Sequence, residues 1–91
     1  MNKIRAAITS VGGYVPEDRL TNADLEKIID TTDEWITTRT GIKERRILKD
    51  PTKASSDMAT EAIRDILQKK KLDPLDIECI ICATVTPDML F

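Results

Sequence analysis

The chain has 91 residues, with 14 Lys and Arg against 16 Asp and Glu, a net charge of −2, and no histidine. That length holds one domain at most, and the absence of histidine excludes imidazole acid/base chemistry, Ser-His or Cys-His pairs and histidine metal ligands within these residues. The slight negative charge gives no footprint for nucleic acid, no apolar run approaches the ~20 residues of a membrane span, and the N-terminus lacks the apolar core of a secretory signal.

The 23 Ile, Leu, Val and Phe residues place the chain above the range of charged, disordered sequences, so a folded segment is expected. Ile4 to Val11 is short and β-rich, and Gly12-Gly13 stops it, which predicts a strand and a turn. Thr21-Asn22-Ala23-Asp24 fits a capping box, and Leu25, Ile28 and Ile29 follow at helical spacing. Thr31-Thr32-Asp33-Glu34 repeats the signal with Thr31 at the cap, opening a helix that carries Trp35 and Ile36. Gly41 is placed to end that helix in the left-handed conformation. Ile42 to Leu48 alternates imperfectly and reads as a short strand or hairpin arm.

Asp50-Pro51 breaks the chain, and Ser55 or Ser56 caps the next helix. Met58, Ala59, Ala62, Ile63, Ile66 and Leu67 form one apolar stripe along it. Lys69, Lys70 and Lys71 end it, where cations complement the helix dipole. Asp73-Pro74 predicts a single further turn through Asp76. Ile77 to Val85 is nearly unbroken apolar after Glu78, the pattern of a strand buried on both faces of a parallel sheet. Strand, helix and strand make a right-handed βαβ unit with short inserted helices. A central parallel strand needs neighbours and two covering layers, so these residues are expected to open a larger α/β domain.

Three groups of residues invite a chemical reading. Cys79 and Cys82 form C-x-x-C, the spacing of a redox pair or half a zinc site. Inside a strand they point to opposite faces, so buried structural cysteines are expected instead, and two thiols without a disulfide framework suit a reducing cytoplasm. Arg39, Lys43, Arg45, Arg46, Lys49 and Lys53 form a basic stretch without interleaved aromatics. It reads as a solvated surface or as a patch for a small phosphorylated ligand. Thr31, Trp35 and Arg39 stand at i, i+4 and i+8. A flat indole, a planar guanidinium and a hydroxyl on one face can hold an adenine nucleotide. The alternative is that Trp35 fills the core with Arg39 packed over it.

Further residues carry a resemblance. Gly13-Tyr14-Val15-Pro16-Glu17, Leu20-Thr21-Asn22-Ala23-Asp24-Leu25, Asp33-Glu34-Trp35-Ile36-x-x-Arg39-Thr40-Gly41-Ile42-x-Glu44-Arg45 and Ala83-Thr84-Val85-Thr86-Pro87-Asp88 follow one another along the chain. Their order and spacing resemble the start of the β-ketoacyl-acyl carrier protein synthase III family, across essentially the whole chain.

The resemblance implies a thiolase fold of two similar α/β halves, with residues 1–91 the N-terminal fragment of the first half and no second domain. It implies a cytoplasmic homodimer that condenses acyl-coenzyme A, usually acetyl, with malonyl-acyl carrier protein to start type II fatty-acid synthesis. Acyl-coenzyme A is then a substrate, and no cofactor or metal is expected. The family's catalytic cysteine, histidine and asparagine match no residue here, so the fragment is expected to be inactive. By the same resemblance Trp35 stacks on the coenzyme's adenine, Arg39 lies near its phosphates and Thr31 hydrogen-bonds the base. Thr40 lies close to the pantetheine tunnel, and Phe91 crosses the dimer interface to wall the acyl pocket. Two other readings remain: a related thiolase-superfamily acyltransferase with another starter or acceptor, and a stand-alone βαβ binding module.

Overall fold

A computed structural model describes residues 3–89, so the role expected of Phe91 lies outside the described residues. The chain divides into two compact units, one of residues 15–53 and the other of the described residues on either side of it.

The 15–53 unit holds two strands and two helices. Strand β1 (Arg19–Thr21) leads into helix α1 (Asn22–Glu26), then α2 (Asp33–Thr40) and β2 (Glu44–Arg46). The strands pair antiparallel, with Arg19 opposite Arg46, Leu20 opposite Arg45 and Thr21 opposite Glu44. The expected strand over 42–48 is thus present but shorter. Its partner β1 carries no alternating pattern, because three residues are too few to show a period of two.

Helix α1 begins as its sequence predicts. The Thr21 hydroxyl accepts from the Asp24 N–H at 3.1 Å, and the Asp24 carboxylate accepts from the Thr21 N–H at 2.9 Å. These bonds hold the Asp24 carboxyl below the usual carboxylate range. Helix α2 starts one residue later than expected. Thr32, not Thr31, is its cap, and the Thr32 hydroxyl accepts from the Trp35 N–H at 3.1 Å. The Glu26 carboxylate meanwhile accepts from the Asp33 N–H at 2.7 Å, which satisfies another donor of the first turn. Gly41 ends α2 at φ 71°, its N–H donating to the Thr37 carbonyl at 2.8 Å.

The second unit is organised by α3 (Ser55–Lys70). Met58, Ala59, Ala62, Ile63, Ile66 and Leu67 are its half-buried residues, together with Ser55 and Asp65, so the predicted stripe is the covered face. Neither serine is the cap. Ala54 is, and the Asp57 carboxylate accepts from its N–H at 2.8 Å. Ser55 and Ser56 instead hold the chain beyond residue 85. The Ser55 hydroxyl donates to the Thr86 carbonyl at 2.6 Å, and the Ser56 N–H donates to Asp88 at 2.9 Å. The Ser56 hydroxyl also donates to Asp88, and these bonds lower the Asp88 carboxyl pKa. Asp88 therefore supplies from a distance the anion that a helix start favours. Lys71 closes α3 in the left-handed conformation at φ 54°. The predicted single turn follows as a 3-10 helix over Pro74–Asp76, capped by the Asp73 side chain.

The expected strands over 4–11 and 77–85 do not form among the described residues. The βαβ unit is present as its helix and two flanking segments. Ile4, Ile8, Ile81 and Val85 are almost fully exposed, Val85 at 97%. A strand exists through the partners its N–H and C=O groups find. The described residues give neither segment a ladder, so apolar composition alone leaves both irregular. For the same reason Cys79 and Cys82 are exposed free thiols rather than buried ones.

Residues 11–13 pass close across α3. The Gly13 N–H donates to the Asp65 carboxylate at 3.1 Å, and Lys69 pairs with the same carboxylate at 2.9 Å. A Cβ on Gly12 would lie 2.6 Å from the Ile66 side chain and 2.9 Å from the Ala62 carbonyl. Gly12→Ala in a full-length protein carrying this segment is expected to cost about 1–3 kcal/mol, the range for forced overpacking. Gly13→Ala meets nothing within 4 Å and serves as the control. Thermal melts of the two variants check this, and equal melting temperatures would refute it.

Candidate functional site

The site lies on α2, and a buried carboxamide sets how that helix sits in its unit. Asn22 is 2% exposed. Its amide donates to Asp33 Oδ1 at 2.7 Å, to the Ile42 carbonyl at 2.8 Å and, more weakly, to Thr37 Oγ1 at 3.3 Å. Its carbonyl accepts from Arg45 at 3.0 Å, and its backbone N–H donates to the Lys43 carbonyl at 3.1 Å. Thr37 Oγ1 donates in turn to Asp33 Oδ1 at 3.1 Å. Asn22 and then Thr37 hold the Asp33 carboxyl below the usual carboxylate range.

Ile36 and Thr37 are therefore the covered residues of α2, and the Asp33 carboxylate is held beside them by the Asn22 amide. Ile36, at 8% exposure, is the buried apolar residue there. The Thr40 hydroxyl donates to the Ile36 carbonyl at 2.7 Å and accepts from the Ile42 N–H at 3.0 Å. Trp35 and Arg39 fall on the opposite side, as helical periodicity requires. Trp35 is 55% exposed, and the Arg39 guanidinium carbon sits 5.0 Å from its ring centroid. That is cation–π distance. Among the described residues Trp35 does not fill a core, and Arg39 packs over its ring.

Recesses open on both sides of Trp35. One, of about 270 Å³, is lined by Asp30, Thr31, Thr32 and Trp35. The other, of about 340 Å³, is lined by Thr32, Glu34, Trp35, Thr38 and Arg39. Thr31 and Arg39 thus line different recesses that meet at Trp35 and Thr32, and Thr31 precedes the helix instead of capping it. Thr40 is not part of this surface. Asp30, Thr32 and Thr38 join these recesses without any sequence signal of their own. Nor does any local pattern signal the role of Asn22.

The basic stretch divides by structure. Arg45 is held by Asn22 and by the Leu20 carbonyl at 3.3 Å, and Arg46 donates to the Pro16 carbonyl at 2.8 Å. Both are structural. Arg39, Lys43, Lys49 and Lys53 are exposed. No group of three or more potential metal-binding side chains occurs among the described residues.

Comparison with known proteins adds the family. No family model matches the chain. It is 62% identical over 89 residues to the β-ketoacyl-[acyl-carrier-protein] synthase III of Caldanaerobacter subterraneus subsp. tengcongensis, covering 98% of this chain and 27% of that protein. It is 58% identical over 88 residues to the Chlorobaculum tepidum protein of the same name, covering 97% and 27%. The crystal structure of 3-oxoacyl-[acyl-carrier-protein] synthase III from Aquifex aeolicus VF5 aligns with a TM-score of 0.68 and 55% identity, covering 72% of this chain and 21% of that one.

Over nearly its whole length the chain resembles the β-ketoacyl-[acyl-carrier-protein] synthase III family. It covers about a quarter of the length of those relatives. Its mixed helix and strand are part of the family's α/β, thiolase-like fold. The apolar ribbon 77–85 has no sheet partner among the described residues.

The Asn22 network predicts an acid response. The folded Asp33 pKa lies below its ordinary value of 3.8, so its contribution to stability is present above that value. It is lost as pH falls through the lowered folded value. Asp33→Asn, compared with the parent by denaturant titration from neutral pH downward, is expected to be less stable at neutral pH. The gap should close in acid. A gap independent of pH would refute this role.

Proposed function

We propose that the surface of Thr31, Trp35 and Arg39 binds the nucleotide end of acyl-coenzyme A. The whole protein is then a condensing acyltransferase that joins an acyl-coenzyme A, acetyl in the usual case, to malonyl-acyl carrier protein. The observation that carries this reading is the exposed indole with a guanidinium over it. The half-exposed indole lies between two recesses, and a purine base stacks on such a ring. Arg39 offers its planar fork to a phosphate at the same place. Thr31 and Thr32 bring hydroxyls to the recess beside the ring.

The high identity to named synthases over nearly the whole chain supports the same chemistry. Such an enzyme works by covalent catalysis, with an acyl-cysteine formed first and the carbanion from malonyl decarboxylation attacking it. None of that machinery is drawn from these residues. Their part is to hold the distant end of the substrate, so that binding energy there orients the thioester. Thr40 near the pantetheine tunnel, Phe91 at the acyl pocket of a homodimer and a cytoplasmic location complete the proposal.

In a full-length synthase carrying this segment, Trp35→Ala and Arg39→Ala are each expected to raise KM for acyl-coenzyme A. The factor for Trp35→Ala is about tenfold or more, from the ~1–3 kcal/mol typical of base–aromatic stacking. Changes in kcat should be smaller, because the contact is made in the ground state and the transition state alike. Steady-state kinetics with both substrates check this, and an unchanged KM in both variants would overturn the assignment. The 91-residue chain itself is expected to show no acetyl-coenzyme A transacylation, and clear turnover would count against the proposal.

A further inference from the structure

The geometry points to Asn22 as a positioning residue for the Trp35–Arg39 surface, an inference that rests on the proposed role of that surface in binding acyl-coenzyme A. Asn22 touches no part of the recesses. It acts through α2. Its carboxamide grips Asp33 in the first turn and Thr37 one turn on, the two inner residues that bracket Trp35. The same amide holds the Ile42 carbonyl just beyond the helix end, and its carbonyl accepts from Arg45 on β2. One side chain therefore fixes both ends of α2 against the strand that follows it.

The rotation of α2 about its axis determines where its outer face points. Trp35 and Arg39 lie roughly half a turn from Asp33 and Thr37. A helix eight residues long with one buried apolar side chain has little other packing to set that rotation. The hydrogen bonds of Asn22 are directional, and apolar contact is not. Loss of the carboxamide should let the helix roll and carry the indole out of register with the base, while chemistry at the far end of the substrate keeps its own groups.

Two substitutions in a full-length synthase carrying this segment test this. Asn22→Asp keeps the shape, removes both amide donors and sets a carboxylate against Asp33. Thr37→Val removes one partner and is the milder change. Asn22→Asp is expected to raise KM for acyl-coenzyme A about fivefold, the factor carried by one ordinary hydrogen bond. KM for malonyl-acyl carrier protein should not change. Thr37→Val should do the same by a smaller factor. Adding Asp33→Asn to Asn22→Asp restores a donor between the two positions and should recover part of the loss.

A purely structural role would lower the active fraction, and with it the apparent kcat, leaving both KM values alone. That result, alongside a raised KM in Trp35→Ala, would overturn the positioning role and leave the binding reading intact. If Trp35→Ala itself leaves KM unchanged, the binding reading fails and this inference falls with it. Should Asn22→Asp not fold, Thr37→Val decides by the same criteria.

Discussion

A single buried carboxamide holds the 15–53 unit together. Asn22 joins β1 to the start of α1, and its side chain ties α2, the turn after Gly41 and β2 to one point. A buried amide left without partners costs about 1–3 kcal/mol, so the arrangement that satisfies it is strongly selected over others. Here both amide hydrogens and the carbonyl are used. In a unit whose buried residues include only one large apolar side chain, Ile36, direction comes from hydrogen bonds more than from packing.

That constraint gives α2 two different faces. Asp33 and Thr37 turn their polar atoms to Asn22, and the Thr40 hydroxyl bonds the backbone at the helix end. Trp35 and Arg39 are left outward, where they meet each other and solvent. The helix is weakly amphipathic by hydropathy, because its inner face is polar and its outer face carries the tryptophan. The usual rule that the apolar side faces the core is inverted at Trp35.

The second unit depends on its surroundings in another way. α3 is secured at its start by Asp88 and Ser56, and along its length by the close approach of Gly12. Its apolar stripe faces Ile77, Ile80 and Ile81 across a groove of about 330 Å³. Those isoleucines and the 4–11 segment stay largely exposed. Their sequence has the composition of interior strands, and the family's fold is an α/β one of which the chain spans about a quarter. Composition and environment are therefore mismatched within this stretch alone.

The local sequence determined what depends on near neighbours. The capping box at Thr21, the stop at Gly41, the stripe of α3 and the turn at Asp73-Pro74 all arise from bonds or contacts a few residues apart, and each appears in place. The family and the identity of Trp35 and Arg39 as a pair were equally legible, because both rest on residue types at fixed spacing. Tertiary structure decided everything that needs a distant partner. It brought the Glu26 carboxylate from the preceding helix to the Asp33 N–H, beside a cap that falls on Thr32 and not Thr31. It paired β1 with β2, made Asn22 the hub and turned Trp35 outward. It also left 77–85 without a sheet. A strand's identity lies half in its own side chains and half in the neighbours that complete its hydrogen bonds, and only the first half is written in these residues.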